Sequence, residues 1–386
     1  MKPRSASPFA LAMGRFFRDP AARAGIAGVI FLFAVTLFAP FIANGKPLLM
    51  CLDGKWSAPF WRSFFAPASS EVLVEMIFNY ALLLLTVGAA SCFLPRIPRR
   101  AVRIAAAVLL LLPFMLTTPR MDKKNYREIA CKAEFALFAP IPYDPDEITG
   151  MPCAAPDRKH FLGCDDIGRD LAARVIYGGR VSLTVGVLST LIAMSIGISV
   201  GLAAGFFRGG FDLVVMRLVE IMLCFPTFLL LLILMSMLGD AKIGQSIPLV
   251  VAVIGLTGWL QLAFLVRGEV LKESSLPYIQ SCIVSGISTR RIMFCHLLPN
   301  ILPVVLISFT FAVAGAIIGE SGLSFLGFGV QPPTASWGNL LRQAFDNPFA
   351  YWHLTLFPGL ALFAAVVSFN FTGEGLRRAF DNGDGL

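Results

Sequence analysis

Charge is scarce in this chain. Asp, Glu, Lys and Arg make up 15% of its 386 residues, against about a quarter in an ordinary soluble domain. The apolar share, 56%, exceeds the usual half, and the excess lies in long runs instead of being spread at amphipathic spacing. That excludes a soluble globular enzyme and predicts an all-α polytopic membrane protein. Histidine is also scarce: His160, His296 and His353 are dispersed and read as structural. No Gly-x4-Gly-Lys-Ser/Thr segment exists, so the chain has no phosphate cradle of its own. A His/Glu metal motif and a nucleophile elbow are likewise missing. No catalytic residue, metal or cofactor is therefore expected. The net charge is +8, but the basic residues gather at the ends of apolar runs and form no stripe with interleaved aromatics. Nucleic acid is excluded as a partner, and membrane lipid is expected.

What is there is a series of spans. Eight are expected, at 24–43, 72–94, 102–118, 181–206, 218–238, 247–266, 301–321 and 354–371. The first is too long for a signal-peptide core and lacks the usual cleavage site, so it reads as retained. The connector Pro95-Arg96-Ile97-Pro98-Arg99-Arg100 is purely basic and belongs inside by the charge rule. By parity both termini are inside, as are the connectors 207–217 and 267–300, whereas 44–70 and 119–180 lie outside. Cys92, Cys224, Cys282 and Cys295 fall in or beside spans and read as small apolar residues. Cys51, Cys131, Cys153 and Cys164 fall in the two outside segments, where spacing alone leaves disulfide pairing open.

Four features stand out. Gly197, Gly201 and Gly205, with Ala193 a turn earlier, form a small-residue face that allows close helix packing. Arg217 and Glu220 form an i,i+3 pair at the start of the fifth span, ahead of a kink at Pro226, and read as an anchor or a gate. Glu320, four residues before Ser324, lies near the outer end of the seventh span, where it could reach water; structural or gating use is favoured over substrate contact. The fourth feature is a polar island at 278–300. Pro277 can start a helix there, with Ile279, Cys282, Ile283 and Gly286 on one face. Gly286 ends it, and a second helix runs from Arg290 to Leu298 until Pro299 stops it. Periodicity alone fits two readings equally: a helix resting on lipid, or an elbow that a partner can push.

The island resembles the signature loop of ABC-importer permeases, E-A-A-x3-G-x9-I-x-L-P. Gln280-Ser281-Cys282 stand at Glu-Ala-Ala, Gly286 matches, His296 takes the Ile position, and Leu298-Pro299 match. His160-Phe-Leu-Gly-Cys164-Asp165-Asp166-Ile-Gly168-Arg169-Asp170 is similar to the Leu-Gly-Thr-Asp-x-x-Gly-Arg-Asp stretch of the second permease of dipeptide/oligopeptide importers. Tyr177-Gly-Gly-Arg180-Val-Ser182, Leu323 to Asn339 and Phe357-Pro358-Gly359 follow in order, so the resemblance covers about 159–381. More weakly, 42–49 is similar to the subgroup importing oligopeptides and microcin-type peptides. Three departures stand out: the Glu-Ala-Ala replacement, Cys164 for Thr, and the extra pair of spans at 72–94 and 102–118.

The resemblance implies a six-span type I ABC importer permease core plus two additional N-terminal spans, in a bacterial inner membrane. It implies a non-enzymatic pore half for peptides, partnered by a homologous second permease, two ABC ATPase subunits and an extracytoplasmic peptide-binding protein. Tyr278, Gln280, Ser281, Cys282, Gly286, Arg290, Leu298 and Pro299 would meet the ATPase. Glu320, Ser324, Arg217 and Glu220 would belong to gating or the substrate path. The expected domains are 1–43 (N-terminus and first span), 44–118 (outer loop and additional spans), 119–180 (outer region) and 181–381 (permease domain with coupling loop 267–300). A nickel or other small-solute importer shares these motifs. A stand-alone ion-coupled carrier, the rival of another class, would need broken inverted repeats or a midplane acid pair.

Overall fold

In lipid, a backbone can satisfy its own polar groups only within helices or a closed barrel, and this chain forms helices. The computed structural model describes residues 8–65, 72–93, 126–239 and 246–381. The first helices are α1 (Pro8–Phe16), α2 (Pro20–Leu37), α3 (Ala39–Ile42), α4 (Pro59–Phe65), α5 (Val72–Phe93) and α6 (Tyr126–Ala130). Then come α7 (Leu171–Phe207), α8 (Gly209–Leu223), α9 (Thr227–Gly239), α10 (Ile247–Ser274) and α11 (Pro277–Val284). The last are α12 (Thr289–Arg291), α13 (Leu298–Leu326), α14 (Trp337–Arg342) and α15 (Trp352–Asp381). Strands β1 (Leu49–Leu52), β2 (Lys55–Ser57) and β3 (Phe135–Leu137) form an antiparallel sheet in the order β2-β1-β3, a small departure from an all-helical chain. Asp53 and Gly54, both at positive φ, supply the two-residue turn between β1 and β2.

Six helical stretches are long and apolar enough to cross a membrane: α2, the 72–89 part of α5, α7, α10, Thr289–Leu326 and α15. They coincide with six of the eight expected spans. The expected span at 102–118 lies outside the described residues. The expected span at 218–238 is not one helix: α8 and α9 meet at Pro226 with a bend of 84°. Proline removes a backbone donor there and its ring blocks continuation, so the break is local in origin. α7 begins at Leu171, ten residues before the span expected from hydropathy (181 − 171), because its first three turns carry Arg174 and Arg180.

The chain forms two compact units, one of Met1–Ile30, Val185–Gly329 and Leu362–Leu386, the other of Phe31–Thr184 and Val330–Ala361. In the first, the glycine face of α7 packs on α10. A Cβ at Gly201 would lie 2.7 Å from the Ala263 carbonyl oxygen and one at Gly205 2.8 Å from Val270 Cβ, so only glycine allows this approach. α1 docks on the last turns of α15 through Ala12, Phe16, Ala22 and Ala379. α13 ends in a left-handed Gly327, with the Phe328 N–H on the Leu323 carbonyl at 2.8 Å.

The second unit is built on side chain–backbone bonds. Phe60 and Phe64 of α4 bury against Leu82 of α5, with Phe41 packed beside them. Asn79 of α5 donates to the Phe64 carbonyl at 2.9 Å. The motif Ser336-Trp337-Gly338-Asn339 is a capping box: Ser336 Oγ accepts the Asn339 N–H at 3.3 Å, and Asn339 Oδ1 accepts the Ser336 N–H at 3.0 Å. The buried Trp337 indole donates to the Val175 carbonyl at 3.0 Å. All seven described cysteines, including Cys51, Cys131, Cys153 and Cys164, are free thiols.

Candidate functional site

Extended backbone at Leu276 followed by Pro277 in the first turn starts α11 where the sequence places it. Ile279 points inward and is fully buried with Val270, Ile292, Leu297 and Ile301; Cys282 packs partly against the same cluster. The other face looks outward: Tyr278 and Ile283 are exposed, and Val284 is 88% exposed. Gly286 closes the helix at φ +71°, with the Ile287 N–H on the Cys282 carbonyl at 3.1 Å. Nothing lies within 4 Å of where a Cβ on Gly286 would sit, so backbone handedness alone requires glycine there.

Two polar clamps hold the elbow to its flanking spans. Tyr278 Oη donates to Glu273 Oε2 at 2.7 Å and accepts from Asn300 Nδ2 at 2.5 Å, tying α11 to the end of α10 and the start of α13. Partial burial lifts the Tyr278 phenol above its usual pKa, and the bond to Glu273 adds to this. Gln280 Nε2 donates to the Ser274 carbonyl at 2.7 Å, capping the C-terminus of α10. A glutamate at this position could not donate that bond, which is a physical reason for the amide. Ser281 Oγ bonds within its own helix, to the Pro277 carbonyl at 2.9 Å. Arg290 and Arg291 are exposed.

The second helix of the elbow does not stop at Pro299. After α12 the chain widens into a π-helix at Ile292–Leu297 and enters α13 unbroken; the Leu298 N–H reaches back five residues to the Met293 carbonyl. The wider turn and the start of a new α segment leave Pro299 at a position where its missing donor costs little. Leu298 is half-buried against the inner cluster and Pro299 is exposed.

The remaining candidates form separate local pairs. Glu320 does not reach water in this chain: it is fully buried and accepts from Ser324 Oγ at 2.7 Å, one turn on along α13. Arg217 and Glu220 do pair, at 2.6 Å, but on the surface of α8 with side chains 70% and 47% exposed, where an ion pair contributes little. Sequence reasoning missed a stronger link nearby. Arg267 of α10 holds Asp212 of α8 through Nε and Nη2 at 2.5 and 2.6 Å. The residues are 55 apart, so no periodicity betrays them.

The Asp165–Asp170 motif is a buried knot in the second unit. Asp165 Oδ2 lies 2.6 Å from Arg169 Nε and 3.2 Å from Arg174 Nε, while its Oδ1 accepts the Arg169 N–H at 2.8 Å. Asp170 holds His160 at 2.8 Å and accepts the Ala173 N–H, capping α7. Burial pushes the Cys164 thiol up to about 11, with the neighbouring Asp170 adding. Fully inside, Arg180 donates from Nε to the Thr36 carbonyl at 2.7 Å and from Nη2 to Asn79 Oδ1 at 3.1 Å. α5, at the first of the two additional spans expected from the sequence, is thereby fastened to the end of α2. Among the described residues, no cluster of His, Cys, Asp or Glu could hold a metal ion.

Residues 197–383 match the family model of the binding-protein-dependent transport system inner membrane component. Residues 7–60 match that of the N-terminal TM domain of oligopeptide transport permease C. Between them, 61–196 holds α5 and the buried knot. The chain is 38% identical over 250 residues to the oligopeptide transport system permease protein OppC of Haemophilus influenzae, covering 64% of this chain and 78% of that protein. It is 39% identical over 258 residues to the OppC protein of Escherichia coli K12, covering 65% and 83%. The di/tripeptide transport system permease protein DppC of Pseudomonas aeruginosa is 36% identical over 255 residues, covering 64% and 82%.

Proposed function

The chain belongs to the family of binding-protein-dependent transport system inner membrane components, in its dipeptide and oligopeptide permease branch, and from that premise we propose that it is one pore half of an ATP-driven peptide importer. The observation that carries this reading is the elbow: an amphipathic helix anchored by Ile279 and two polar clamps, with a bare apolar outer face. Such a helix suits a groove on an ATPase subunit. The peptide names of its relatives favour peptide over nickel as cargo. Two ATPase subunits, a homologous second permease and an extracytoplasmic binding protein complete the assembly, with the elbow and both termini cytoplasmic.

In this reading ATP-driven closure of the ATPases moves α11. The polar clamps pass that movement to α10 and α13, and the Arg267–Asp212 bond passes it to the bent α8–α9 pair. The spans then rock between outward-open and inward-open states. Glu320 and Ser324 act as internal ties of α13, and Arg217 and Glu220 as a surface anchor.

Val284→Asp tests the docking. At 88% exposure this change leaves the fold of the chain intact while placing a charge in the apolar face. The expected result is that an ATPase copurifies with the tagged parent chain and is lost from the variant. Equal copurification from both would overturn the assignment of α11.

A further inference from the structure

The proposed function makes no use of a half-open cavity of about 560 Å³ lined by α7, α9, α10 and α13 in the first unit. Its size falls in the range of small-molecule sites, about 300–1,000 Å³. The walls are apolar with a few hydroxyls, among them Ser189, Thr257 and Ser308, and no lining residue carries a charge. Gly315 and Gly319 of α13 also line it. A Cβ at Gly315 would meet nothing within 4 Å, and one at Gly319 only Leu231 at 3.9 Å. Unlike Gly201 and Gly205, these glycines have room for a Cβ; they keep a wall low.

One amide faces this space. Gln261 lies at the middle of the 28-residue α10, about 20 Å from either end at 1.5 Å per residue. The uncharged part of α10 ends at Val266, so Gln261 lies about 8 Å inside the hydrocarbon from that end. Its side chain is exposed in the chain and makes no hydrogen bond among the described residues. Thr257, one turn away, bonds to the Val253 carbonyl of its own helix at 2.8 Å; Gln261 has no such outlet. A polar side chain at this depth faces a bundle interior or a watery path, since lipid cannot satisfy it.

We propose that Gln261 is a positioning residue for the transported peptide, bonding its main chain in a passage whose wall on this chain is uncharged. The inference rests on the importer reading. A primary amide offers a donor and an acceptor together, the same pair that every peptide unit carries. Walls without charge impose no preference between cationic and anionic side chains, and a bond to the main chain does not depend on the peptide's sequence.

The test uses the assembled importer in cells lacking the native chain and complemented with variants, with radiolabelled trialanine, trilysine and triglutamate as probes. Loss of one neutral hydrogen bond predicts that Gln261→Ala raises KM about two- to tenfold, equally for all three peptides. Gln261→Glu should shift the ratio of trilysine to triglutamate uptake toward trilysine, which a merely structural role would not do. Gly315→Leu, with open space to fill, should leave chain abundance unchanged and block uptake. Gln261→Cys, corrected for labelling of the parent chain, should react with a charged methanethiosulfonate and be protected by added peptide. An unchanged trilysine ratio overturns the proposal. So does labelling by a lipid-soluble maleimide alone, or protection that peptide does not alter; the cavity then holds lipid or a helix of the second permease. If these variants are silent while Val284→Asp abolishes uptake, the inference fails and the importer reading stands. If deleting the whole chain leaves peptide uptake unchanged, the importer reading itself fails.

Discussion

Graded substitution at Gly286 separates backbone geometry from contact. The residue sits at φ +71° with empty space where a Cβ would go. An L-residue in this conformation costs about 1–2 kcal/mol, less for Asn and more for a β-branched side chain. At 1.4 kcal/mol per tenfold, the ratio of hooked to unhooked elbow falls about 5- to 30-fold for Gly286→Ala. Asn should fall less and Val more. A Cβ at Gly286 meets nothing and leaves the buried cluster around Ile279 untouched, so the abundance of folded chain should hardly change. The assay is ATP-dependent uptake of labelled trialanine, normalised to chain abundance, across Gly, Asn, Ala and Val. The expected order is Gly, then Asn, then Ala, then Val. Valine equal to glycine would refute the claim that the hook matters. Asparagine as damaging as valine would refute the backbone argument, because it would mean that a partner fills this space.

Tyr278→Phe removes both bonds of the clamp to Glu273 and Asn300, each partly replaced by water; a loss of about 1 kcal/mol should lower uptake severalfold while the ATPase still copurifies. Asn79→Leu leaves the buried Arg180 without its side-chain acceptor, at a cost of about 1–3 kcal/mol, and should lower the Tm of the purified chain, whereas Asn79→Asp, which keeps that acceptor but loses the donor to the Phe64 carbonyl, should lower it less. Cys164, buried and with its pKa raised to about 11, carries roughly a thousandth of its thiol as thiolate at pH 8. Iodoacetamide should therefore modify exposed Cys131 well before Cys164, and mass spectrometry of the native chain checks the order.

Much of this arrangement is legible in the residues, for reasons that also explain the failures. Apolar runs mark the long helices because lipid forces helical backbone wherever they occur. Pro277 and Gly286 mark the ends of α11 because each fixes φ locally. Pro226 signals a break, but the 84° between α8 and α9 depends on what each packs against. The π segment has no local signature, so Pro299 reads as a stop although the helix continues into α13. Hydropathy starts α7 too late because Arg174 and Arg180 look like water-facing charges. Their partners, Asp165, Thr36 and Asn79, include residues about a hundred or more positions away. Glu320 near a helix end suggests access to water, yet Ser324 one turn later was the available hint that it is satisfied internally. Gln280 looks like a lost charge until its bond to the Ser274 carbonyl shows what an amide does there.

In the proposed mechanism this chain conducts peptide only when an ATPase drives it. The most direct measurement is uptake of labelled trialanine into right-side-out membrane vesicles containing the full assembly and loaded with ATP. The expected uptake requires internal ATP, survives a protonophore, and disappears with Val284→Asp. Uptake by the chain alone in proteoliposomes, driven by an ion gradient without any ATPase, would contradict it.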